Sequence, residues 1–427
     1  MFSKIFFGVS ALILASASVA APVDGTWEIT ITTFGDPEWL RATIETSCDK
    51  ITGSADEMTI SGTTRGETVQ FAIHHPDGSL YGTFSGTLLN TVLVGTAKLS
   101  EGESASWTAR HPAERPAGAP RAHNFRPREF HRTFSSLIPP VLHIYAGDTV
   151  ETWTVDAGGK DAKMTRRSNG GNPLTGPFYI EGALTGDTLV VKFTRIRLNR
   201  DSAASGDSIV PGLVAPSYFK NAKGIEKFDS TWRLDRGKGA AMLAHPSDRL
   251  KNFSVKLEPM LGCVGVAPAG KQSFRSGNLG SYGGNMDYNQ IREGVTLYLP
   301  VYHAGALLFV GDGHAAQGDG ELTGDALETS MDVAFVVDVI KGRSSRMPRA
   351  ENADYLMAMG IGGSLADAVQ TATTELARWI ERDYKLNSTE AAVVLGTSIR
   401  YDIAELVDPQ VNVVAKVAKS VLAQLPQ

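Results

Sequence analysis

Short runs in which apolar residues recur at every second position, each closed off by a glycine turn, constrain this chain more than any other feature. Trp27, Ile29 and Ile31, then Val69, Phe71 and Ile73, fall between breaks at Asp77-Gly78, Gly82, Gly86 and Gly95. Period two with glycine punctuation marks antiparallel strands that bury one face. About six such strands are predicted within residues 21–110, and a set this small avoids open edges by forming a β-barrel or a sandwich. The neighbouring His74 and His75 point to opposite faces of a strand, so they are not expected to share an ion.

The next stretch, residues 111–129, is rich in proline and arginine and has no apolar period. It reads as a linker with solvated arginines. From Phe130 the strand pattern resumes and holds to about residue 345. The turns Gly147-Asp148-Thr149 and Gly186-Asp187-Thr188 each precede an apolar run, Val150 to Val155 and Leu189 to Phe193, and Val333 to Ile340 adds another.

Helical periodicity enters only over 350–425. Ser364 is a cap candidate ahead of Leu365, Ala368, Val369, Ala372, Leu376, Trp379 and Ile380. Asn387 to Ala391 resembles the start of a second helix, and Asp408-Pro409 is expected to lead into a third. The predicted class is mainly β with an α+β C-terminal part, in which a β-sandwich-like core (130–427) lies under C-terminal helices.

Of the 427 residues, 41 are basic and 46 acidic, for a net charge of -5, which leaves no electrostatic footprint for nucleic acid. Residues 1–20 combine Lys4, an apolar stretch from Ile5 to about Ser16 and the small residues Ser18-Val19-Ala20. This is the pattern of a cleavable signal peptide, which predicts a periplasmic or secreted protein. No later apolar run is long enough to span a bilayer, so no membrane association is expected after its removal. The two cysteines, Cys48 and Cys263, fall in different predicted domains, and no disulfide between them is expected.

Chemistry-bearing residues concentrate between Gly283 and Glu321. There the segment Gly311 to Glu321 is read as a loop that packs Asp312, His314, Gln317, Asp319 and Glu321 among four glycines. Carboxylates and an imidazole gathered this closely suit a hard or borderline metal ion, or proton transfer.

The string Gly284-Asn285-Met286-Asp287, the Gly-x-x-Leu-x-Leu-Pro-Val run at 294–301 and the GDGHAAQGDGE segment resemble the signature of the acetamidase/formamidase family. GCVGVAP at Gly262–Pro268, GDTVETWTVDAGG at Gly147–Gly159 and LTGPFYIEGALTGDTLVV at Leu174–Val191 agree in order, and the similarity covers roughly residues 130–425. Members of that family hydrolyse short linear amides to the carboxylic acid and ammonia, and they commonly assemble, so a homo-oligomer is expected. The resemblance implies a divalent cation, zinc by expectation, held by His314 with Asp287 and Asp156. Glu321 would then move the proton, Gln317 would stabilise the oxyanion, and Asn285 and Gly284 would bind the amide.

Other standard hydrolytic solutions are missing: there is no G-x-S-x-G elbow, no H-E-x-x-H and no C-x-x-C. Two alternatives stay open. Cys263 could attack with Glu258 or a distant histidine as base, or the fold could serve as a periplasmic binding protein without catalysis.

Overall fold

A computed structural model describes residues 23–220 and 228–426. The predicted signal peptide, residues 1–20, lies outside the described residues. The chain divides into two compact units. One holds the described residues through Thr33 together with Ala42–His111, and the other holds Phe34–Arg41 together with Pro112 onward.

The first unit belongs to a closed barrel of eight consecutive antiparallel strands, from Gly25–Thr33 to Ser104–Arg110. The first strand pairs with the last from Glu28 opposite Arg110 to Thr32 opposite Ser106, which leaves no free edge. That resolves barrel against sandwich, and two more strands are present than the alternation suggested. Trp27, Ile29, Ile31, Phe71, Phe84 and Trp107 are all buried, as the period-two pattern requires. Gly95 gives room to the Trp107 indole, since a Cβ there would stand 2.7 Å from its Nε1. The Nε1–H itself donates to Thr96 O at 3.1 Å.

The second unit is built on an eleven-stranded and a nine-stranded sheet. In the nine-stranded sheet, strand Thr188–Leu198 pairs with Met331–Ile340 along its whole length, from Thr188 opposite Ile340 to Leu198 opposite Met331. Aromatic side chains join the sheets across one core, as where the Phe178 and Phe335 rings meet edge to face at 5.3 Å. This is the predicted β-sandwich-like core.

Part of the predicted linker is ordered into this unit. Ala122–Asn124 forms an edge strand parallel to Thr149–Thr154. Arg115, expected to be solvated, donates to Asp148 Oδ1 at 2.6 Å and to Ala146 O at 2.7 Å. The Asp148 carboxylate, almost fully buried, recruits it.

Helix Leu365–Asp383 starts at Ser364, whose side chain accepts from Asp367 N. Helix Ser388–Ser398 carries a full capping box between Asn387 and Glu390. The expected third helix after Asp408-Pro409 is instead the strand Val411–Ala418. Its valine-rich sequence has a strand's branching, and it fills the slot between Tyr355–Gly362 and Arg400–Glu405 in the nine-stranded sheet. The region 350–425 is thus an alternation of strands and helices.

The long helix is locked to the sheet by a buried ion pair. Arg349 Nε donates to Glu375 Oε1 at 2.7 Å, and its guanidinium lies 5.0 Å from the Trp379 ring centroid. Glu375→Ala leaves the arginine buried and unpaired, so chemical denaturation is expected to register a loss of about 3–5 kcal/mol. Among the described residues no helix is long and apolar enough to cross a membrane.

Candidate metal centre

Strand Leu308–His314 is buried throughout and runs further than the sequence suggested, so Asp312 and His314 are strand residues and not loop residues. Two positions apart, they project to the same face. That face meets Asp287, which follows strand Gly283–Asn285, and Glu328, which stands opposite His314 in the neighbouring strand. Glu321 arrives from the loop after His314. Glu405 closes the group from the other sheet, at the end of strand Arg400–Glu405 and bridged to Gly320.

The donor atoms form three overlapping sets, each with all atoms within 4.8 Å of one another: Asp287, Asp312 and His314; His314, Glu321 and Glu328; Asp287, Glu321 and Glu405. All six residues are buried.

Four of the five carboxylates follow one pattern, in which one oxygen is held and the other is bare. Asp287 Oδ2 accepts from Asn285 Nδ2, Asp312 Oδ2 from Asn172 Nδ2 at 3.1 Å, Glu328 Oε1 from Ala326 N at 3.1 Å, and Glu405 Oε1 from Asp408 N at 2.9 Å. Their partners Asp287 Oδ1, Asp312 Oδ1, Glu328 Oε2 and Glu405 Oε2 have no hydrogen bond, although all are buried. Leaving such atoms bare costs roughly 1–3 kcal/mol each, more when charged, unless something outside the protein binds them.

His314 repeats the pattern. Its Nδ1 donates to Gln317 Oε1 at 2.8 Å, which turns Nε2 toward the cluster. There Nε2 lies 3.0 Å from Glu328 Oε1 and 3.5 Å from Asp312 Oδ2, yet it makes no aligned hydrogen bond. Asp287, Asp312 and Glu321 hold left-handed backbone at φ 40°, 59° and 47°. Three strained carboxyl residues in one place is the kind of concentration found where function over-determines the backbone.

The electrostatics follow from crowding. Burial, then the neighbouring Glu321 and Asp312 charges, hold the Asp287 carboxyl well above the usual range. Burial does the same for Glu321 and pushes Glu328 up to about 7. Burial would lower His314, but the Glu328 and Asp312 charges overcome it and hold the imidazolium well above its ordinary value. A multivalent cation is the natural counter-charge for so many acids around one imidazole.

Several expected assignments change. Asp156 does not join the cluster: its Oδ2 is ion-paired with Arg200 at 2.7 Å and its Oδ1 accepts from Lys160 N. Gln317 has both ends of its amide engaged, the oxygen by His314 and the nitrogen by Asp287 O at 2.5 Å, so it orients the imidazole and is not a free oxyanion donor. Asn285 is likewise spent, receiving Cys263 Sγ–H at 2.6 Å and donating to Asp287 and to Asp408 Oδ2 at 2.7 Å. Gly284 serves packing, because a Cβ there would lie 2.3 Å from Asn278 O.

Cys263 is fully buried, and burial with the Asp312 and Asp287 charges pushes its thiol well up. Its proposed base Glu258 is ion-paired with Lys256 and Arg292, each at 3.0 Å. Glu328, Glu405 and Asp408 were not singled out by sequence reasoning.

Gly262 keeps the hollow open. A Cβ there would stand 2.3 Å from Asp287 Oδ1 and 2.6 Å from Asp312 Oδ2. Gly262→Ala is therefore expected to weaken metal uptake and lower activity by about 10²-fold with the fold retained, as equilibrium dialysis and circular dichroism would record.

A model described as the Acetamidase/Formamidase family matches residues 270–358, a span that contains Asn285, Asp287, Asp312, His314, Glu321 and Glu328. A protein of Schizosaccharomyces pombe with a provisional formamidase name is 26% identical over 196 residues, which are 35% of this chain and 47% of that relative. The chain thus spans about half the length of this curated relative. The crystal structure of an acetamidase from Yersinia enterocolitica superposes with TM-score 0.61 at 29% identity, over 72% of this chain and 95% of its own. One of a predicted acetamidase/formamidase from Thermoanaerobacter tengcongensis superposes with TM-score 0.60 at 26% identity, over 72% and 99%.

Proposed function

We propose that this chain, a member of the acetamidase/formamidase family, hydrolyses the C–N bond of linear amides to a carboxylic acid and ammonia with the help of a divalent metal ion, zinc being the first candidate. The observation that carries the metal reading is the ring of buried, half-anchored carboxylates around the unpartnered Nε2 of His314. Oxygen donors plus one imidazole suit a hard or borderline cation.

Asp287, Asp312 and His314 form the set with which we assign the ion, with Glu321, Glu328 and Glu405 completing the shell. Such an ion, when bound, makes water acidic enough to attack near neutral pH and polarises an amide oxygen. The protein's own part is orientation and proton traffic. Gln317 fixes the imidazole tautomer, and Asn285 fixes Asp287. Glu321 belongs to the cluster and also lines an adjoining cavity, which suits it to take a proton from attacking water and return it to the departing nitrogen.

A buried thiol held far above neutrality among carboxylates is a poor nucleophile, which disfavours the Cys263 route. The signal-like first twenty residues support export to the periplasm or beyond, and a homo-oligomer remains the expected assembly.

Ammonia release from formamide and acetamide, before and after chelator treatment and zinc add-back, tests the proposal. Turnover that a chelator leaves untouched rejects the metal. Turnover abolished by a thiol reagent alone moves the chemistry to Cys263, and no turnover with intact metal binding favours a non-catalytic binding protein.

A further inference from the structure

We propose that the preferred substrate is a neutral amide whose acyl group is larger than acetyl and apolar, a medium-chain aliphatic or aryl group seated in the cavity beside Glu321. This rests on the amide-hydrolase reading and adds a substrate class to it.

The cavity measures about 570 Å³, and two of its lining residues, Glu321 of the cluster and Gln317 that holds His314, tie it to the acidic group. That is a volume in which ligands far larger than acetamide are held, the usual range being roughly 300–1,000 Å³. An amide bearing only a methyl group would leave most of it to water.

Its walls are apolar where they lie away from the acids: Trp232, Phe253, Val255, Leu322 and Leu327. The Trp232 and Phe253 rings meet at 6.1 Å in an edge-to-face arrangement. Trp232 spends its one polar group within the wall, donating Nε1–H to Ser205 Oγ at 3.0 Å. Phe253 and Leu322 remain 47% and 45% exposed, apolar surface grouped around an opening and not scattered singly.

The charges on the rim speak for a neutral occupant. Lys256, the one basic residue among the described lining residues, is paired with Glu258, which is also held by Arg292, so among the described residues no free cation lines the cavity to receive a carboxylate. Buried Glu321 and the exposed Asp319 and Asp325 also line it, and their carboxylates repel an anionic tail. An uncharged acyl chain placed against the ring walls would leave its carboxamide to meet Glu321, the lining residue that also belongs to the cluster.

The test compares kcat/KM for acetamide, hexanamide and phenylacetamide by ammonia release, using the full metal-loaded chain. Burial of each methylene is worth about a fourfold gain, so hexanamide is expected to exceed acetamide by about 10²-fold. Phe253→Ala, at a half-exposed position where folding is not at stake, is expected to cut the hexanamide-to-acetamide ratio by about tenfold, with an unchanged thermal midpoint. Acetamide turned over as fast as hexanamide overturns the inference and leaves amide hydrolysis standing. Ammonia from none of the three overturns both. A ratio that Phe253→Ala lowers only together with a change in sedimentation mass assigns the apolar rim to contact between copies of the chain, and overturns the inference as well.

Discussion

His314→Ala is expected to lower amide turnover by at least about 10³-fold and to bring bound metal close to zero. His314 is the one nitrogen donor in a cluster otherwise made of carboxylates. Its orientation is fixed through a relay in which Nδ1 donates to Gln317 and Gln317 donates to the Asp287 carbonyl. Alanine removes the donor and leaves Asp312, Glu321 and Glu328 facing one another without the imidazole, whose positive charge holds the Glu321 and Glu328 carboxyls lower than burial alone would. Gln317→Ala removes only the orienting contact, so a milder loss of about 10–100-fold in metal affinity is expected. Elemental analysis of the dialysed variants, run beside the ammonia assay, separates the two effects. A His314→Ala protein that binds metal in full and turns over at the original rate would refute the assignment.

The second large effect is on stability. Burial holds Glu328 and Asp408 each up to about 7 in the folded chain, whereas in the unfolded chain they titrate as ordinary carboxylates near pH 4. Between those values the folded form binds more protons, so the stability these groups contribute is present in full below about pH 4 and is lost as pH rises through about 7. At roughly 1.4 kcal/mol for each pH unit over which the extra proton is held, Glu328 alone accounts for about 3 kcal/mol. Asp287 and Glu321, raised by burial, act in the same direction.

Carboxylates held low, such as Asp161, where bonds from Arg167 and the Lys163 and Thr165 amides outweigh burial, have completed their contribution by pH 5. His131 and His303, lowered by burial, oppose the trend near pH 6 but are fewer than the acids. Chelator-stripped protein is therefore expected to melt several degrees lower at pH 8 than at pH 5, and added zinc to raise the midpoint more at pH 8, where its ligands are deprotonated. A stripped protein that gains stability from pH 5 to pH 8 contradicts the cluster's electrostatics.

What could be read along the chain was local. Ser364 and Asn387 cap their helices because a cap needs only the next three residues, and the barrel's alternation is a property of each strand by itself. The class, mainly β with an α+β end, followed from the same patterns. Asp287, His314 and Glu321 stood out because the resemblance marked them, and all three do meet in the cluster.

Asp156 was misjudged because its fate depends on Arg200, an ion-pair partner that no short motif announces. Glu405 is brought to the site by sheet pairing and by a bridge to Gly320, and the sequence around it carries no motif. The strand Val411–Ala418 was hidden by Asp408-Pro409, a pair that opens helices well but here ends a turn in which Asp408 turns inward to Asn285. Long-range pairing decided each of these, and residue type could not.

Strand Arg400–Glu405 forms the outer margin of the nine-stranded sheet, partnered on one side only by Val411–Ala418. A margin of that kind is the first part of a sheet to fray. Because Glu405 hangs from it into the acidic nest, occupancy of the nest would act as a rivet, fastening the tail of the chain to the strand that bears His314. Loss of the ion should then announce itself first as protease clipping and rapid amide exchange near residue 400, well before the barrel or the central strands loosen.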